Sequence, residues 1–154
     1  MRMSPSRVKR IEYYKAAATF WCEAIRLQKQ RCLEAEVDAN TTRLDLNFYV
    51  VSVQRLREVA RQIRDRLHQD SVRCALETFD ARWPRFRELR NVEEHILGPS
   101  DRYPYGVWYF RDAVTDLQPH GKVEYIVHLE RMESSVDELF RAIQDALAIK
   151  LSSV

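Results

Sequence analysis

A chain of 154 residues, 45% apolar and 31% charged, has the balance of one globular domain. A domain of that size buries about 68–70% of its unfolded surface and needs no disulfide or metal staple. Three Gly and five Pro exclude collagen-like, linker-like and turn-dense all-β chains. The net charge of +2 is unevenly spread: residues 1–31 carry eight basic against two acidic residues, and 55–90 carry ten against six. Residues 91–154 reverse this, with six against eleven. Twenty of the 25 basic residues are Arg, whose planar fork suits phosphate or carboxylate, although base composition of the genome also favours Arg.

In chain order, Ser4-Pro5-Ser6 precedes a first helix expected over about 7–36. Ile11, Tyr14, Ala18, Trp21, Cys22, Ile25 and Cys32 form its apolar stripe, and Tyr13, Phe20 and Leu27 form a second flank that suggests burial on more than one side. Asp38-Ala-Asn-Thr-Thr42 reads as a turn and capping cluster before a second helix over about 43–67. The inner face expected there is Leu44, Phe48, Val51, Leu56, Val59, Ala60, Ile63 and Leu67. Two long helices joined by a short polar turn make an antiparallel helical hairpin. Asp70-Ser71 is expected to cap a third helix over 72–82, with Leu76 and Phe79 inward, which Trp83-Pro84 interrupts. A fourth helix is expected over 85–97, stopped by Gly98-Pro99.

Residues 106–111 and 122–128 are rich in aromatic and β-branched types, so a β-hairpin insert spanning about 103–129 is expected, laid against the helices. A last helix over 130–150 presents Val136, Leu139, Phe140, Ile143 and Leu147. The expected fold is mainly α, a four- to five-helix bundle with a small β-hairpin insert before the last helix, in a single domain over 1–154.

Cys22, Cys32 and Cys74 show no CxxC spacing, as in a protein with reduced thiols. No stretch has signal-peptide or membrane-span character, so a soluble, cytoplasmic protein is expected. HExxH, P-loop, GxSxG and GxGxxG patterns are all missing, and neither a metal nor another cofactor is expected. His68 falls at the end of the second helix, His120 in a turn and His128 on the outer side of a strand.

His95 has different surroundings. In Arg90-Asn91-Val92-Glu93-Glu94-His95, Asn91 and His95 lie four apart on one helical face, and the long Arg90 side chain reaches the same end of the helix. An Arg beside a proton-transferring His is a minimal apparatus for metal-free RNA cleavage. The His moves a proton to or from the 2′-OH or the leaving 5′ oxygen, and the Arg stabilises the charge on phosphorus.

This segment resembles the R-x4–6-H motif of HEPN domains, which often place Asn or another polar residue directly after the Arg. The resemblance implies a helical domain that dimerises and joins two motifs into one composite, metal-independent endoribonuclease site. Arg90 and His95 would be catalytic, with Asn91 and Glu94 supporting. RNA, a homodimer mate and a cognate antitoxin protein are the implied partners, and toxin-antitoxin or stress defence the implied setting. Family toxins inactivated by nucleotidylation carry Tyr two residues after the His, where this chain has Leu97. The neighbouring helix end and Glu94 favour the protonated imidazole, which suits a general acid.

Other readings stay open at this level. Arg87 and Arg90 also fit ion pairs with Glu94 on a solvated face, and the domain also fits a non-catalytic HEPN-like module that binds RNA or protein. Arg57, Arg61 and Arg64 make either a phosphate-tracking stripe or a solvated face with Glu58 and Asp65, and Arg87 is a further candidate RNA-binding residue. Trp108-Tyr109-Phe110 serves either base stacking or packing.

Overall fold

Ile11, Tyr14, Ala18, Cys22, Ile25 and Cys32 recur at steps of three, four and seven, and each is at most 5% exposed. They line one side of α1 (Pro5–Glu34) in a computed structural model that describes residues 5–34, 39–84, 86, 107–111, 114–118 and 125–152. The expected second buried flank is not found. Tyr13, Phe20 and Leu27 are 65%, 59% and 51% exposed; among the described residues the helices packed on α1 are chiefly α2 (Ala39–Leu67) and α4 (Leu129–Ser152), both on its other side.

α2 begins four residues before the expected start, so Ala39–Thr42 are helical rather than a turn. Its buried face is Leu46, Tyr49, Val50, Val53, Leu56, Val59, Ala60, Ile63 and Leu67. The second half matches the expected face. In the first half Phe48 turns out to be 57% exposed and Tyr49 fully buried. That stretch is apolar nearly all round, so spacing alone does not orient it, and packing on α1 and α4 decides.

α2 ends at Leu67, and exposed His68 takes φ of 51°, the left-handed conformation more usual for Gly or Asn at a helix end. Its N–H donates to the Arg64 carbonyl at 3.1 Å. α3 (Asp70–Arg82) therefore starts directly after Gln69, which is its N-cap, and Asp70 sits in the first turn rather than capping it. There Asp70 accepts from Arg73 Nε at 3.2 Å. Val72, Leu76 and Phe79 are buried, as the spacing predicts for the last two.

The helices run in alternating directions. On the α1–α4 seam Arg26 meets Asp137 at 3.1 Å, Lys29 pairs with Glu133, and Gln144 donates to Thr19 at 3.5 Å, so later residues of one helix face earlier residues of the other. α3 packs on α2 and α4, closing a bundle of four described helices. Val136, Leu139, Ile143 and Leu147 of α4 are buried as expected, joined by Leu129, Met132 and Ala146. Phe140 is partly buried against this core. Tyr49 is fully buried with its hydroxyl unpaired, and burial pushes its ionisation up.

Between α3 and α4 lie β1 (Val107–Arg111), β2 (Val114–Gln118) and β3 (Tyr125–His128), antiparallel in that order. A two-stranded hairpin of 106–111 with 122–128 is thus not what forms: β2 intervenes and pairs with both. Arg111 stands opposite Val114 in the β1–β2 register. Val114 stands opposite His128 on the other side. Phe86 joins the helical residues in the core. The fourth helix expected over 85–97 lies outside the described residues except at Phe86.

Candidate functional site

α3 has 13 residues and α4 has 24. At about 1.5 Å per residue these span about 20 and 36 Å, so α4 outruns its neighbour. Arg82 at the end of α3 reaches Glu138 at 2.6 Å, and Trp83 Nε1 donates to Ser135 Oγ at 3.1 Å. Both contacts fall well inside α4, and its first turns, Leu129–Met132, extend past the end of α3. Beside these contacts lies a cleft of about 340 Å³, lined among the described residues by Arg82, Trp83, Arg131, Ser134, Ser135 and Glu138.

The floor of the cleft is fixed. Trp83 N–H donates to the Phe79 carbonyl and Phe86 N–H to the Trp83 carbonyl, both at 3.0 Å. Phe86, only 5% exposed, sets its ring edge-on to Phe79 with centroids 5.8 Å apart. Ser135, 4% exposed, accepts from the Trp83 indole and donates to the Arg131 carbonyl at 3.3 Å.

Arg87, Arg90, Asn91, Glu94 and His95 lie outside the described residues. The other sequence-derived candidates are placed on α2, and each has a carboxylate partner. Arg57 holds Asp80 through two bonds of 2.6 Å, tying α2 to α3, with 20% of its side chain exposed. Arg61 bonds Glu58 at 2.9 Å. Arg64 bonds Asp65 at 2.7 Å, and that bond holds the exposed Asp65 carboxyl below its ordinary value. These contacts match the solvated ion-pair reading of the stripe, in which a phosphate would have to displace a carboxylate at each position.

The cleft residues were not legible as a group. Trp83 reads in sequence only as a helix stop, and Arg131, Ser134 and Ser135 follow about fifty residues later with no spacing to link them. Burial pushes the Cys32 thiol up to about 12, with Asp45 adding in the same sense. Cys22 is also buried and raised, whereas Cys74 is exposed. Among the described residues no group of three or more His, Cys, Asp or Glu could hold a metal ion, and no helix is long and apolar enough to cross a membrane. No family model matches the chain, and no match was found among curated proteins or solved structures.

Proposed function

We propose that this protein is a HEPN-like, metal-independent endoribonuclease of the toxin or stress-defence type, acting in the cytoplasm as a homodimer. The observation that carries the reading is the segment Arg90-Asn91-Val-Glu-Glu94-His95, in a chain whose first two helices are long and whose packed core is a helical bundle. Two protomers bring their motifs to one composite site. There Arg90 stabilises negative charge on the phosphorus, and His95 moves the proton to or from the 2′ or 5′ oxygen. Asn91 and Glu94 orient that pair. Attack by the 2′-OH leaves a 2′,3′-cyclic phosphate and a 5′-OH. A cognate antitoxin is the natural partner for such an activity.

The test is RNA cleavage by the full chain in excess chelator, with His95→Ala and Arg90→Ala alongside. The expected outcome is cleavage by the wild type, cyclic-phosphate ends, and loss of turnover by a factor of about 100 or more in either variant. Cleavage that survives His95→Ala overturns the mechanism. RNA binding without cleavage, in wild type and variants alike, replaces it with a non-catalytic HEPN-like binding module.

A further inference from the structure

We infer that the cleft over the end of α3 binds a nucleotide unit, with its phosphate at Arg131 and Ser134 and its base against Trp83. The volume, about 340 Å³, falls at the lower end of the range for small-ligand sites and suits one nucleotide.

Among the described residues that line the cleft, the charges are not balanced. Arg82 is paired with Glu138 at 2.6 Å, and among the described residues Arg131 makes no ion pair. One guanidinium is therefore left facing the cleft without a carboxylate. Ser134 stands one turn along α4, so its hydroxyl and the guanidinium lie on the same side of the helix. A fork of N–H donors beside a hydroxyl is a donor set for phosphate oxygens.

Trp83 supplies the complementary half. Its indole N–H is already spent on Ser135, and Ser135 is anchored on the Arg131 carbonyl. What the ring still offers a ligand is apolar surface, held in place by that hydrogen-bond chain. Glu138, which takes the Arg82 hydrogen bond on Oε2, adds its other oxygen as an acceptor for a ribose hydroxyl or an exocyclic amine. A purely apolar ligand would strand Arg131, and a bare anion would leave the indole unused. A nucleotide meets both.

The inference rests on the cleft and not on the motif at Arg90 and His95. The phosphate and base could belong to a free mononucleotide or to a strand of RNA, and one experiment separates these. Intrinsic tryptophan fluorescence of the full chain is titrated with 5′-AMP, adenosine, inorganic phosphate and a non-cleavable 2′-O-methyl trinucleotide. Trp83→Phe identifies the share of the signal due to that residue against Trp21 and Trp108.

Saturable quenching by AMP or by the trinucleotide is expected, with adenosine and phosphate at least tenfold weaker. AMP as good as the trinucleotide identifies a free nucleotide, and the trinucleotide alone identifies an RNA strand. Arg131→Ala, an exposed position whose loss leaves the helical circular dichroism unchanged, weakens binding by about 10- to 100-fold. Equal binding by Arg131→Ala and wild type overturns the site, as does no saturable binding of either nucleotide probe. Such a failure leaves the ribonuclease reading standing, because that reading is tested on different residues and by a different signal.

Discussion

On one side of α1, Ile11, Tyr14, Ala18, Cys22, Ile25 and Cys32 are each at most 5% exposed; on the other, Tyr13, Phe20 and Leu27, spaced by seven, are all more than half exposed. The two rows are similar in letters and opposite in environment. Burial of an apolar side chain contributes about 1.5–3 kcal/mol only where a partner covers it. α2 and α4 both pack on the first row, and among the described residues no helix packs on the second. Phe20 meets Trp21 edge-on with centroids 4.9 Å apart, and Trp21 in turn packs on the core. An apolar residue in a helix is thus a statement about opportunity, and the neighbouring helices determine which opportunity is used.

The sharpest way to break this contrast is truncation on both rows. Ile25→Ala is expected to cost about 2–5 kcal/mol in urea unfolding, from lost transfer energy and the cavity left behind. Leu27→Ala, two residues away, is expected to change stability by no more than about 0.5 kcal/mol. Equal losses at the two positions would mean that the outer row is covered in solution.

Alkaline titration probes the inner row alone. Cys32 ionises near 9 when unfolded and is pushed up to about 12 by burial, so the native state favours its neutral form. A raised thiol contributes stability that is complete below about pH 9 and is lost as pH rises from there towards about 12. Tyr49, also raised by burial, acts in the same sense at higher pH. The urea midpoint should hold from pH 7 to 9 and fall beyond; a flat profile to pH 11 would contradict the burial of Cys32. At pH 8 a thiol reagent should modify Cys74 quickly, and Cys22 and Cys32 only on unfolding.

A smaller effect is expected where a charged pair rather than apolar packing joins two helices. Arg57→Ala removes both bonds to Asp80, a pair that is partly exposed, with 20% and 42% of the two side chains accessible. A loss of about 1 kcal/mol is expected, at the upper end for such pairs because the geometry is bidentate. The smallest change belongs to Arg26→Ala on the α1–α4 seam. Both its side chain and that of Asp137 are about half exposed, and the effect should lie within about 0.5 kcal/mol and shrink further in salt.

The helical class, the four described helices to within a few residues, and the inner faces of α1, α3 and α4 could be read from apolar spacing. So could the stop at Trp83-Pro84. These are local properties, set by periodicity and by what Pro forbids to its neighbour. The motif at Arg90 and His95 is also a local pattern, which is why sequence could nominate it. The orientation of the first half of α2 and the exposure of Tyr13, Phe20 and Leu27 were decided by tertiary contacts. The cleft is the clearest case. It lies where the end of the 13-residue α3 meets the 24-residue α4, and it joins Arg82 and Trp83 to Arg131 and Ser134 across some fifty residues of chain. No spacing rule within one segment encodes such a meeting; it follows from helix lengths and packing order, which only the folded bundle sets.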